Sequence, residues 1–474
     1  MSIQLALLLG YSAVLVALGL FIGRRVSGTN DFFVAGRRLG PGLLFSTMLA
    51  ANIGGGSTVG ATGLGYRDGL AAFWWVGSAA VGSLLLALWI GPAIRRIAAE
   101  HELKTVGDFL ELRYGRHVRA IVSVLVWLGS LAIPAGQLIA IATILNVVTG
   151  VPKYVGCLVG GGVVIAYFTA GGLLTSAWVN MVQLAVKLGG FLIALPLALG
   201  AVGGFDALAL VRADDASYWN VWRGGPSGVV YLALLAPAFV VSPGLLQKIY
   251  GARDDRAVRL GVGLNAAGLL LYAPVPVLMG LIARARFPDL PNHELALPMV
   301  LMHGVPPLVG SLGLAAVFSA EISAADAGLF MLTTSLSQDL YKRFLDPSAT
   351  DARVLAVTRG AAIACGAAAV AIAIASPTII GVIGLFYALL GVSLFVPILA
   401  GLYSRRAGTP EALASIGAGV ASMLAVHFST SGRGVGGFSP ALVGIAAAAV
   451  AFSIVFITRV LGPSLRTLPS LRSL

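Results

Sequence analysis

Charge is what this sequence has least of. Of 474 residues, 11% are Asp, Glu, Lys or Arg and 58% are hydrophobic, whereas an ordinary soluble domain carries about a quarter charged residues. That scarcity excludes a large solvated surface, and with it a soluble catalytic domain. Cysteine is also scarce. Cys157 and Cys365 are the two in the chain; each falls in an apolar run, so there is no disulfide framework and no metal-ligand spacing. The five histidines, His101, His117, His293, His303 and His427, are scattered without ligand spacing and read as surface or packing residues.

What the chain has instead is apolar runs long enough to cross a bilayer, recurring from end to end. The pattern predicts an all-α polytopic membrane protein with 13 spans. These are 2–22, 41–64, 70–94, 120–147, 153–170, 173–201, 227–247, 260–283, 307–338, 354–375, 377–402, 411–430 and 439–458. The first span has no basic leader and no clear small-residue cleavage site, so it reads as a retained helix rather than a signal peptide. The net charge of +12 suggests nucleic acid at first sight, but its distribution opposes that reading. Arg24, Arg25, Arg95, Arg96, Arg116, Arg119, Lys342, Arg343, Arg405 and Arg406 share one side of the predicted topology. Arg67, Lys153, Arg212, Arg223, Arg284, Arg286 and Arg433 make up the smaller group opposite. The positive-inside rule then puts the N-terminus outside and the C-terminus in the cytoplasm. The expected location is a cell membrane, of the bacterial inner-membrane type, and the partner of the basic surface is the bilayer, not nucleic acid.

Two of the spans are built to fail. In Ala51-Asn-Ile-Gly-Gly-Gly-Ser-Thr58, three successive glycines weaken a helix by about 1 kcal/mol each relative to alanine. In the seventh span, Pro237 removes a backbone donor and Ser242-Pro243-Gly244 follows one to two turns later, so a kink or unwinding is expected there too. The two breaks begin at similar depths of spans five apart. Glycine-rich faces also serve plain helix packing, and Gly160-Gly161-Gly162 reads that way. Paired breaks, however, point to an inverted-repeat transporter with its site at the midplane. Unwound backbone is tolerable at that depth only where an ion, a solute or a protein group satisfies it.

Three ionisable side chains fall well inside spans: Lys187, Glu321 and Asp326. Each costs about 3 kcal/mol at the bilayer centre on insertion scales, so each needs a reason. Asp326 shares a helical face with Ser319, Ser323, Thr333 and Ser337, an oxygen-rich stripe suited to a hard cation. The simpler alternative is that the hydroxyls only bond back to the preceding turn. Glu321 lies about 140° away from Asp326 around the helix and serves another contact. Lys187 continues a second stripe, Ser176, Asn180 and Gln183. It reads either as half of an ion pair with Glu321 or Asp326, or as a tethered ammonium or proton carrier in a cation site.

Five strings in order along nearly the whole chain resemble the sodium:solute symporter family. They are "NDFFVAGRRLGP" (30–41), "TVGDFLELRYG" (105–115), "YFTAGGLLTSAWVNMVQ" (167–183), "QKIYGARDDRAVR" (247–259) and "FSAEISAADAGLFMLTTSLSQDLYKRF" (318–344). The resemblance implies 13 helices around a LeuT-like five-plus-five inverted repeat, in one transporter domain spanning 1–474. The first repeat would be 41–201 and the second 227–402, with 2–22 and 411–458 as additions. It implies a sodium site made of carbonyls of Ala50, Ile53 and Ala320 with the Ser323 hydroxyl. Asn180 and Asp326 stand close by.

Two positions depart from the family pattern. Ala324 replaces a second hydroxyl, and Asn180 stands where many members carry Asp. Lys187, on the face of Asn180, raises the alternative known from related architectures, in which an ammonium occupies the cation site and coupling is to protons. Sodium is the expected coupling ion, with protons as the alternative, and no enzymatic cofactor is expected.

For the solute, the first break offers Asn52, Gly55, Gly56, Ser57 and Thr58. The seventh span offers Leu235, Ala238 and Phe239. This wall is too apolar for a sugar, and a small organic acid or amino acid is expected, its carboxylate on freed amides of the first break. The function so read is cation-coupled symport by alternating access. A channel fits paired broken helices less well. A sensor would need a signalling domain, for which the tail after the last span leaves no room. An intramembrane enzyme lacks a nucleophile and base at recognisable spacing.

Overall fold

The computed structural model describes residues 33–465 except 170–172, 213, 225 and 226, together with positions 10, 13, 14 and 17. The predicted span 2–22 therefore lies almost wholly outside the described residues. Everything regular that is described is helix. Among the described residues, ten helices are long and apolar enough to cross a membrane, by length and composition. They coincide with ten of the predicted spans. Two of the other three differ for local reasons. Span 41–64 is divided by the glycine break into α1 (Pro41–Asn52) and α2 (Ala61–Asp68). Span 153–170 is the 17-residue helix Lys153–Thr169.

The helices that build the centre are α1, α2, α3 (Phe73–Leu85), α4 (Ala132–Thr149) and α5 (Leu173–Ala201) from the first half of the chain. The second half supplies α6 (Tyr231–Val241), α7 (Pro243–Tyr250), α8 (Asp255–Tyr272), α9 (Pro307–Thr334) and α10 (Ile379–Tyr403). Helix α9 is buried along nearly its whole length and packs against α1, α4 and α5. Two further helices, Thr409–Ser429 and Pro440–Leu465, pack on each other and on α10.

The second break differs from its expectation. Helix α6 runs through Pro237 without interruption, and the chain opens at Ser242, whose ψ of 120° leaves the helical region. The cause is Pro243, the first residue of α7, whose ring crowds the preceding residue out of the α conformation. Proline at the first helical position forfeits no hydrogen bond, so α7 restarts at once.

Charges buried at the ends of the bundle are paired. Arg119, 6% exposed, reaches Asp108 at 2.9 Å, Glu111 at 2.8 Å and Asp339 at 2.7 Å. The "TVGDF" string supplies this network through a capping box: Thr105 caps the Asp108 amide, and the Asp108 carboxylate accepts from the Thr105 amide. At another connection, Glu294 is 1% exposed and accepts a 2.7 Å hydrogen bond from the Ile379 amide, so it caps α10.

Burial pushes the Glu294 carboxyl up to about 7, against the Ile379 and Ile380 amides and Lys153, which oppose the rise. A carboxyl raised in the folded state holds a proton that the unfolded chain has released, so stability falls as pH rises between the two values. Between pH 4.5 and 7 the wild type should lose about 3 kcal/mol on this account. Melting curves across that range should show the slope, and Glu294→Gln, which keeps an acceptor for Ile379, should flatten it.

Candidate functional site

The glycine break frees two carbonyls in a defined way. A continuous helix would pair Ala50 C=O with Gly54 N–H, and Ile53 C=O with Ser57 N–H. Here Gly54 N–H donates to Ser57 Oγ at 3.0 Å, and Ser57 N–H donates to the Gly54 carbonyl at 2.8 Å. Ile53 itself has an extended ψ of 91°. Both freed carbonyls then face α5, where the Lys187 ammonium donates to Ala50 O at 2.5 Å and to Ile53 O at 3.1 Å. Lys187 is completely buried. The ammonium thus stands on the two carbonyls expected to bind sodium.

The neighbouring ligands are also engaged. Ser323 Oγ lies 3.1 Å from Ala50 O and 2.8 Å from Asn180 Oδ1 and has one hydrogen to give between them. Asn180 Nδ2 donates to Thr47 Oγ1 at 3.1 Å. Ala320 is buried in the same stretch of α9. Gln183, also fully buried, has no hydrogen-bond partner for either amide atom among the described residues. The Ser176 side chain lies outside the described ones.

Each of the two buried lysines has a carboxylate within electrostatic range. Glu321 is within electrostatic reach of Lys187, and Asp326 of Lys248. Glu321 accepts a 2.7 Å hydrogen bond from Thr58 Oγ1, while its other oxygen has no hydrogen-bond partner among the described residues. Sequence reasoning misses Lys248, at the end of α7, because the predicted span stops one residue short of it. It is 5% exposed and donates to Thr47 O at 3.0 Å. The oxygen stripe of α9 is shorter than its spacing implies. Thr333 and Ser337 bond back to carbonyls of the preceding turn, the outcome an isolated hydroxyl in a helix favours.

Beside the break lies a cavity between α1, α3, α4, α6, α7, α8, α9 and α10. Of the expected solute residues, Asn52, Gly56, Ser57 and Phe239 line it, as does Leu235. Gly55 and Thr58 instead face Glu321: Thr58 bonds it, and a Cβ on Gly55 would stand 2.8 Å from Glu321 Oε2. The amides expected to receive a carboxylate are in use. Gly54 N–H is held by Ser57, and Gly55 N–H donates to Gln137 Oε1 at 2.5 Å.

A model of the sodium:solute symporter family matches residues 32–419. The chain belongs to that family. As a symporter it is similar to the high-affinity proline transporter PutP of Bacillus subtilis (strain 168), 24% identical over 86% of this chain and 89% of the relative. It is also similar to the sodium/pantothenate symporter of Escherichia coli (strain K12), 26% identical over 86% and 87%. Among solved structures, a Na+-coupled sialic acid symporter in a substrate-bound outward-open state superposes with a TM-score of 0.82. The identity is 18%, over 96% of this chain and 98% of that one. Membership makes this a cation-coupled solute symporter with a multi-pass membrane fold.

In the symporter, the break and α9 leave each other no spare room. A Cβ added at Gly54 would stand 2.3 Å from Ala324 Cβ and 2.7 Å from Gln137 Oε1. Ala324, where the family pattern has a hydroxyl, is therefore the residue on which the break rests. Gly54→Ala should cost about 1–3 kcal/mol through overpacking, read as a lowered melting temperature in detergent. Gly42→Ala, in the same helix but meeting nothing within 4 Å, should not lower it.

Proposed function

We propose that this symporter moves a small organic solute by alternating access, with the Lys187 ammonium in the sodium role and protons as the coupling ion. One observation carries the reading: Lys187 Nζ donates to both Ala50 O and Ile53 O. A sodium ion on those carbonyls would meet an ammonium within about 4 Å, a repulsion that a buried site does not screen. The ammonium ties α5 to the break in α1, and Ser323 ties α9 to it. Loss of the proton removes one N–H and the charge, and so loosens α1 from that pair. Glu321, one of whose oxygens has no hydrogen-bond partner among the described residues, is the acid placed to exchange with it.

The same reading takes the architecture as 13 helices with repeats 41–201 and 227–402, N-terminus outside, in a bacterial cell membrane. The overlay on the sialic acid symporter structure supports it at the level of the fold.

Sodium coupling is the second reading, favoured by family membership. It requires Lys187 to leave Ala50 and Ile53 before sodium enters. Melting of the purified protein in sodium against choline separates the two. Proton coupling predicts no sodium-specific shift in the wild type and a saturable one in Lys187→Ala, where the carbonyls are vacated. At a sodium concentration about a hundredfold above Kd the gain should be about 3 kcal/mol. A saturable sodium shift in the wild type, lost in Ser323→Ala, would overturn it.

A further inference from the structure

The cavity beside the break is mostly apolar and aromatic. Tyr387 is the hub of its ring cluster, 5.4 Å from Phe239, 5.1 Å from Phe386 and 6.4 Å from Trp75 between centroids. Among the described residues lining it, Lys248 alone carries a formal charge. Its ammonium has three donors and gives one to Thr47 O. Asp326 acts on Lys248 from outside the cavity wall. The wall thus shows a solute a cation but no anion.

That asymmetry sorts solutes by class. A cationic solute would meet Lys248 with no carboxylate to pair with. A zwitterionic amino acid would satisfy its carboxylate on Lys248 but find no carboxylate for its ammonium among the described residues lining the cavity. A sugar would leave most of its hydroxyls without partners. A monocarboxylate meets a cation at one end and apolar rings along its body. The amides of Gly54 and Gly55 are occupied, and among the described residues lining the cavity Lys248 is the one that can meet a carboxylate with a full opposite charge.

Charge balance agrees. Lys187, Glu321, Lys248 and Asp326 are all buried, and with each ionised their charges cancel. An entering carboxylate brings one uncompensated negative charge into a low-dielectric space, where it is costly alone. One co-transported cation restores neutrality.

We propose that the solute is a monocarboxylate with an apolar, ring-sized body, its carboxylate on Lys248 and its body against Trp75, Phe239 and Tyr387. This rests on the transporter reading above but not on which cation couples.

The test uses the purified full-length protein, with Trp fluorescence and calorimetry as readouts, in sodium-containing buffer at fixed pH, so that either coupling cation is present. The probes are phenylacetate, its neutral isostere phenylacetamide, and phenethylamine. Phenylacetate should bind saturably, about 100-fold more tightly than phenylacetamide, the range expected for a charge-assisted contact. Phenethylamine should not compete. Lys248→Met should abolish the preference for acid over amide, and Lys248→Arg should keep it, with cooperative melting checked for both. Equal binding of acid and amide would overturn the proposal. So would a preference that survives Lys248→Met, or no phenylacetate binding to a protein that melts cooperatively. Since the sodium experiment uses no solute, the two readings fail separately.

Discussion

The contact on which the centre of this protein depends is one ammonium on two carbonyls. The glycine run costs α1 its helical hydrogen bonds, and at membrane depth the freed groups have no water to fall back on. Four of them find partners close by. Gly54 and Gly55 amides go to Ser57 and Gln137, and the Ala50 and Ile53 carbonyls go to Lys187. Burying the Lys187 charge alone would be prohibitively costly; it is tolerable because the break presents carbonyl dipoles and Glu321 lies within reach. The break needs the lysine as much as the lysine needs the break.

The same pairing of needs extends outward. Two cations and two carboxylates share the interior, arranged as couples on either side of α9. Residues 321 and 326 point in different directions around the helix, so Glu321 meets the glycine break of α1 while Asp326 lies within electrostatic range of Lys248. One side of the helix therefore stabilises the unwound backbone and the other sets the field at the cavity. Ala324 lies between them in sequence and packs on Gly54, which fixes the distance between these two regions. A larger or more polar residue there would separate them.

How much of this the sequence disclosed depends on the kind of signal. Span positions follow from summed hydrophobicity, and ten of them recur as apolar helices. The first break was legible because three successive glycines weaken a helix further than close packing of one face requires. Pro237 misled, because a proline within a helix marks a missing donor, not where the chain opens; the residue before Pro243 was the better marker. Periodicity put Ser323 and Asp326 on one face, yet the spacing of Thr333 and Ser337 cannot distinguish a ligand from a hydroxyl bonded to its own helix. Lys187 stood out by cost, but its partners lie more than 130 residues away in the chain, and no local pattern encodes that. Lys248 escaped because it follows an apolar run, where a lysine ordinarily reaches for the interface.

A tethered ammonium differs from a bound ion in what can leave. Sodium couples transport by dissociating on one side, so its site must open to solvent. Lys187 cannot dissociate; only its proton can. A path for a proton needs a chain of donors and acceptors, not an ion-sized opening, and Glu321, Thr58 and Gln183, whose amide has no hydrogen-bond partner among the described residues, lie at or beside the break. Such a site can stay tightly packed through the cycle. The close contact of Gly54 with Ala324 is consistent with that, and replacing the second hydroxyl with a methyl group sacrifices a ligand that an ammonium already holding two carbonyls does not need.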